Sequence, residues 1–166
     1  MNQAEIRNLQ TPLKEKYRQQ PDSALLTLRA EGRMGEGVTC SVKTGRAIVE
    51  AGLHPATGGS GAAACSGDML LQALVACAGV TMNAVATGLG IVIRDGRVEA
   101  EGDLDFRGTL GVSREAPVGF KEIRLRFHVD ADATADQSAK LLELTERYCV
   151  VYQTLKSPPR VTASNA

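Results

Sequence analysis

A mixed fold of helices and β-strands follows from three features of the sequence. Apolar and polar residues alternate both early in the chain and between residues 98 and 130, which marks strands. Residues 67–81 form a run of apolar and small residues suited to a core helix, and residues 134–149 repeat their apolar positions at helical spacing. At 166 residues the chain, 1–166, is most simply one domain, long enough to bury a core without disulfide or metal support. No internal repeat or low-complexity linker divides it.

Taken in order, Ile6, Leu9, Leu13 and Tyr17 recur at spacings of three and four, which predicts an amphipathic helix over residues 2–20, kinked near Thr11 by Pro12. Leu26, Leu28 and Ala30 then alternate with Thr27, Arg29 and Glu31 as a half-buried strand, and residues 32–37 read as a flexible turn. Val38, Cys40 and Val42 share one face of the next strand, so Cys40 reads as a packing residue. A turn at residues 43–46 leads into a strand at 47–50, completing a β-meander. Residues 51–66 are a glycine-rich loop whose glycines lack the spacing of a phosphate cradle. His54 in that loop reads as a surface residue, because no carboxylate partner stands nearby in sequence.

The central helix is expected to begin near Ser66, with Asp68 in its first turn, and to end at the glycines of residues 88–90. Leu70, Ala73, Leu74, Val80, Thr81 and Ala84 lie on the face of Cys77, which predicts a buried helix with its thiol in apolar surroundings. Arg94-Asp95-Gly96-Arg97 reads as a hairpin turn. Beyond it, an acidic row of Glu99, Glu101, Asp103 and Asp105 on one strand faces a polar row of Arg124, Arg126 and His128 on another, if the two pair antiparallel. In the last helix Leu142, Thr145, Cys149 and Tyr152 are placed on one face. Pro158 and Pro159 end helical structure, and residues 160–163 are read as a final strand.

With 19 basic and 19 acidic side chains, net charge points neither to nucleic acid nor to an acidic membrane surface. No apolar run reads as long enough to span a bilayer, and residues 1–7 lack the pattern of a secretory leader, so a cytoplasmic location is expected. Cys40, Cys65, Cys77 and Cys149 form no Cys-x-x-Cys, which argues against a zinc site. No metal or cofactor is expected.

Two segments together carry a family resemblance. Leu70-Leu71-Gln72-Ala73-Leu74-Val75-Ala76-Cys77-Ala78-Gly79-Val80-Thr81, followed by Glu146-Arg147-Tyr148-Cys149-Val150-Val151-Tyr152-Gln153-Thr154-Leu155, resembles the OsmC/Ohr family of thiol-dependent hydroperoxide reductases, over a likeness running from about Leu25 to Ala163. The resemblance implies an α+β fold with β-sheets wrapped around two central helices, and an intertwined homodimer with active sites at its interface. It also implies that Cys77 attacks an organic hydroperoxide to become a sulfenic acid and that Cys149 resolves it as a disulfide. A dithiol reductant, in one branch a lipoyl group on a protein, would restore the thiols. In the family an arginine from an early loop holds the thiolate; Arg33 is its best-placed counterpart, ahead of Arg29 and Arg46. That arginine is steadied by a glutamate whose position is taken here by Gly67, with Asp68 beside it and Glu36 or Glu50 as substitutes from elsewhere. Cys65, just before the central helix, is a further redox candidate, since helix N-termini lower thiol pKa values. The rival expectation is a non-enzymatic member of the same fold that binds a small apolar ligand. A hydrolase built on a cysteine and His54 lacks an orienting acid.

Overall fold

The computed structural model describes residues 47–111 and 113–165, together with residues 2–5, 8, 11, 19, 32–34 and 39–44; residues 32–34, 39–44, 47 and 48 are described as backbone only. They fall into two compact units. The first consists of Met1–Gln19, Ala73–Glu99 and Arg126–Ala166, and the second of Gln20–Gln72 and Ala100–Leu125.

The core of the first unit is built by a long helix, α1 (Ser66–Leu89), from Ala73 onward. Leu74, Ala78, Met82 and Ala86 are its buried residues, a spacing of four that makes one narrow stripe. Met82 and Ala86 pack with Ile91 and Leu141, flanked by Val85, Ile93, Phe127, Val129, Ala131 and Ala133. The expectation of a buried helix is thus corrected: Val80, on the Cys77 face, is 71% exposed, and Leu70 is 38% exposed. By length and composition α1 is also apolar enough to cross a membrane, contrary to the sequence expectation, although its stripe packs in this core. Gly90, at φ +73°, ends the helix in a left-handed conformation that favours glycine. Residues 3–5, 8, 11 and 19 are helical, Asn2 and Glu5 exchange capping hydrogen bonds, and Gln3 Nε2 donates to the Gly88 carbonyl at 3.0 Å. The kink at Pro12 lies outside the described residues.

Two strands, β5 (Val92–Leu104) and β6 (Phe120–Asp132), form a two-stranded sheet. Strand β5 runs unbroken through Arg94–Arg97, where a hairpin turn was expected. Arg94 bonds Asp130 on β6 at 2.5 and 3.0 Å, and a cross-strand partner outweighs the local turn signal of Asp95-Gly96. The expected charge rows are present in part. His128 meets Glu99 at 3.0 Å in the first unit, and in the second Arg124 bonds Asp103 and Glu101. Exposed pairs of this kind are each worth about 0–1 kcal/mol, so they fix register more than they stabilise. Arg124 holds the Asp103 carboxyl below the ordinary aspartate range.

Helix α3, here numbered after the short α2 (Phe106–Thr109), spans Ala135–Tyr148. It opens on a capping box in which Thr134 and Gln137 exchange side-chain-to-backbone bonds. Leu141 and Thr145 are its buried residues; Leu142, grouped by the sequence reading on one face with Thr145 and Cys149, is 38% exposed. A further helix, α4, spans Val150–Lys156, and residues 160–163 form no strand.

In the second unit β1 (Gly32–Met34), β2 (Thr39–Thr44) and β3 (Ala47–Gly52) form an antiparallel meander, of which the β2–β3 pair was expected, while β4 (Ala64–Cys65) adds a short parallel strand beside β3. Residues 32–34, read as part of a turn, are therefore strand, and the loop of residues 51–66 closes back onto the sheet. The strand expected at residues 26–30 lies outside the described residues. Phe120 lies flat on Gly102, where an added Cβ would approach the ring to 2.5 Å. Only glycine leaves that seat open.

Candidate functional site

Cys77 stands on α1 beside its buried stripe and is half-buried. Cys149 is 1% exposed and lies at the joint between α3 and α4. Its backbone is extended, at φ −74° and ψ 107°, so the helix that the sequence reading carried through Cys149 breaks there and restarts at Val150. A restart frees the first N–H groups of α4 from helical bonds. They act on sulfur: the N–H groups of Val150 and Val151 favour the Cys77 thiolate, and those of Val151 and Tyr152 the Cys149 thiolate. The joint is braced by Tyr152, whose hydroxyl donates to Glu146 at 3.2 Å, and by Gln153 Nε2, which donates to the Glu146 carbonyl at 2.8 Å.

The two thiols adjoin closely enough for each to act on the other's ionisation. Burial pushes the Cys77 thiol up, but bonds from the Val151 N–H, the Cys149 thiol, the Thr81 hydroxyl and the Val150 N–H outweigh it, and its pKa lies below the ordinary value. Burial pushes the Cys149 thiol up, bonds from the Tyr152 and Val151 N–H groups oppose it, and the adjoining Cys77 sulfur adds to the rise, so its pKa lies above the ordinary value. The two sulfurs therefore differ in acidity: the half-buried Cys77 ionises more readily than the buried Cys149. The sequence reading called for a cation to lower Cys77, whereas the described groups that lower it are neutral hydrogen-bond donors. Alkylation of Cys77 by iodoacetamide, followed by peptide mapping across pH, will accordingly show a midpoint below that of free cysteine. A midpoint at or above the free value would contradict the hydrogen-bond account.

An apolar cleft of about 580 Å³ is lined by Val80, Thr81, Ala84, Val85, Leu144 and Tyr148 among others; neither cysteine lines it. Thr81 both bonds the Cys77 sulfur and lines this cleft.

The remaining sequence candidates are placed unevenly. Arg33 lies in β1 opposite Ser41, in strand and not in a loop, and its side chain is outside the described residues, as are Arg29, Glu36 and Arg46. Glu50 is an exposed residue of β3. A Cβ added at Gly67 would lie 3.5–3.6 Å from Phe120, Cys65 and Leu104, ordinary contact distances, so sterics alone do not demand glycine there. Cys40 pairs through its backbone with Met34 and Ala51. Cys65 ends β4 as a half-buried free thiol. His54 has a definite local role that sequence reading missed: its Nδ1 accepts the Ala56 N–H at 3.0 Å and caps the 3-10 turn Pro55–Thr57. The signal for it was Pro55, which favours the first position of a helical turn. No group of three or more His, Cys, Asp or Glu side chains able to hold a metal occurs among the described residues.

A family model described as OsmC-like protein matches residues 58–164, most of the chain and both thiols. The chain belongs to the OsmC-like family. The OsmC fold is borne out by solved structures: an OsmC-like protein from Mycoplasma pneumoniae is 15% identical, with a TM-score of 0.67 over 80% of this chain and 89% of that one. An organic hydroperoxide resistance protein from Legionella pneumophila is 19% identical, with a TM-score of 0.62 over 80% and 91% of the two chains. The organic hydroperoxide resistance protein of Bacillus subtilis is 18% identical, with a TM-score of 0.53 over 80% and 93%. No curated protein matches the sequence at a significant level. The OsmC assignment therefore rests on the family model, and the structural likenesses carry the α+β fold.

Proposed function

We propose that this protein reduces organic hydroperoxides, with Cys77 as the attacking thiol and Cys149 as the resolving thiol. The observation that carries the reading is the asymmetry of the pair: a half-buried sulfur of lowered pKa beside a fully buried sulfur of raised pKa. Membership of a family with relatives described as organic hydroperoxide resistance proteins supports it. The Cys77 thiolate attacks the distal oxygen, the O–O bond breaks, and the alkoxide leaves as the alcohol on taking a proton. The resulting sulfenic acid is attacked by Cys149, which releases water and leaves a disulfide. A dithiol, such as a protein-bound lipoyl group, returns both sulfurs to thiols. The apolar cleft beside Thr81 would hold the hydrocarbon tail and favour such substrates over hydrogen peroxide.

Arg33 is proposed as the cation that joins these neutral donors at the thiolate. The exposed apolar residues Val80, Leu89 and Tyr148 fit a face covered by a second copy of the chain, as a homodimer in the cytoplasm would supply. A binding protein without turnover is the second reading, favoured by Gly67 at the place of the family's glutamate. Peptide mapping after one equivalent of cumene hydroperoxide separates the two. Formation of a Cys77–Cys149 disulfide, reversed by dihydrolipoamide with release of one alcohol per cycle, is expected; thiols that stay reduced while the peroxide persists would leave the binding reading.

A further inference from the structure

The second unit carries a thiol chemistry of its own. Two clefts there, of about 340 and 390 Å³, share the lining residues His54, Cys65, Gly67, Leu104, Phe106 and Phe120. Cys65 is free and half-buried, and its sulfur borders the notch left by Gly67, 3.6 Å from where a Cβ would stand. His54 is fixed in two ways: Nδ1 accepts the Ala56 N–H at 3.0 Å, and the ring stacks on Phe106 with centroids 4.9 Å apart and planes 19° from parallel. Because Nδ1 is an acceptor, the neutral ring carries its proton on Nε2. That N–H has no partner among the described residues. The shared walls therefore combine one sulfur, one fixed ring N–H and three apolar side chains, while Asp68 and Asp103 line the smaller cleft alone.

We propose that this cleft captures apolar α,β-unsaturated aldehydes and ketones by covalent addition to Cys65. The sulfur electron pair forms a bond to the β-carbon, the C=C π pair moves toward the carbonyl, and the His54 Nε2–H bonds the developing enolate oxygen. The thiol proton ends on the α-carbon by way of water, so the net change is addition of S–H across the double bond, with no oxidant or reductant. Two observations favour addition over peroxide reduction at this sulfur. Cys65 is the one thiol among the described side chains lining these clefts, and addition, unlike peroxide reduction, needs no second thiol. The larger cleft is walled mainly by apolar side chains, among them Leu53, Leu70 and Val118, and with the fixed His54 ring in its lining it suits a hydrocarbon tail carrying one carbonyl oxygen. Such enals are formed when lipid hydroperoxides fragment, so the capture would act on by-products of the substrate class proposed for Cys77. It does not depend on that reading.

The test uses the full chain treated with trans-2-nonenal, the adduct fixed by borohydride and located by peptide mass spectrometry. Cys65 is expected to react at least about tenfold faster than glutathione. The variant His54→Asn keeps a side-chain oxygen able to cap the Ala56 N–H but removes the Nε2–H. It should slow nonenal addition at Cys65 about tenfold while leaving iodoacetamide alkylation of the same sulfur unchanged, since that reaction has no enolate to stabilise. Gly67→Leu, which fills the notch, should slow nonenal more than acrolein, which has no tail. A Cys65 rate no greater than that of glutathione overturns the proposal. So does a ratio of nonenal to iodoacetamide rates that His54→Asn leaves unchanged. Neither result bears on whether Cys77 and Cys149 turn over peroxide.

Discussion

Replacing Cys77 by serine is expected to lower kcat/KM for cumene hydroperoxide by about three orders of magnitude, the scale on which removal of an attacking group is felt. The oxygen of serine is far less nucleophilic at neutral pH than a thiolate that four hydrogen bonds hold below its ordinary pKa. Cys149→Ser should behave differently, because its hydroxyl can still donate to Cys77. The first turnover should proceed at close to the normal rate and then stall as a Cys77 sulfenic acid that dimedone traps. Stopped-flow peroxide consumption, with mass spectrometry of the trapped species, separates the two variants. A Cys77→Ser protein that consumes peroxide at the wild-type rate would falsify the assignment outright.

The second large effect concerns stability. Leu141 is 3% exposed and packs with Met82, Ala86 and Ile91, so Leu141→Ala leaves a cavity where α3 meets α1. A loss of about 3 kcal/mol is expected, or roughly 6–12 °C in Tm for a chain of this size, read by circular dichroism. Val80→Ala is the informative control. Val80 is 71% exposed in the single chain, and truncating it there should cost almost nothing. A loss comparable with that of Leu141→Ala, growing as protein concentration falls, would show that a second copy covers this face.

Much of this molecule was legible in its sequence where local pattern and tertiary outcome agree. The central helix, its glycine stop, the pairing of β2 with β3 and part of the facing charge rows follow from periodicity and pairing. The errors arise where a distant partner overrides a local signal. Asp95-Gly96 reads as a turn until Arg94 finds Asp130, and Cys65 reads as loop until Ala64 and Cys65 pair with Ala51 and Gly52 of β3. The helix break at Cys149 is the most consequential miss. The β-branched pair Val150-Val151 weakens helix propensity there, but propensity alone does not announce a break. Proximity of Cys77 and Cys149 was available only through family resemblance, since nothing in the spacing of two cysteines far apart in sequence brings them together. Their unequal acidity was not available at all, because it depends on N–H groups freed by that break.

The joint at Cys149 also bears on the topology of the chain. A disulfide from it to α1 would close the strands β5 and β6 and the helix α3 into a covalent ring, whereas the reduced protein is an open thread. Each catalytic cycle would then alternate between two connectivities of the same fold, and the closed one has fewer unfolded conformations to gain, worth about 4 kcal/mol for a long loop in the chain-entropy account. A reductant must reopen that ring without unfolding it. The short helix α4, held by Tyr152 and Gln153 to Glu146, is the piece of backbone whose movement would expose the buried sulfur to it.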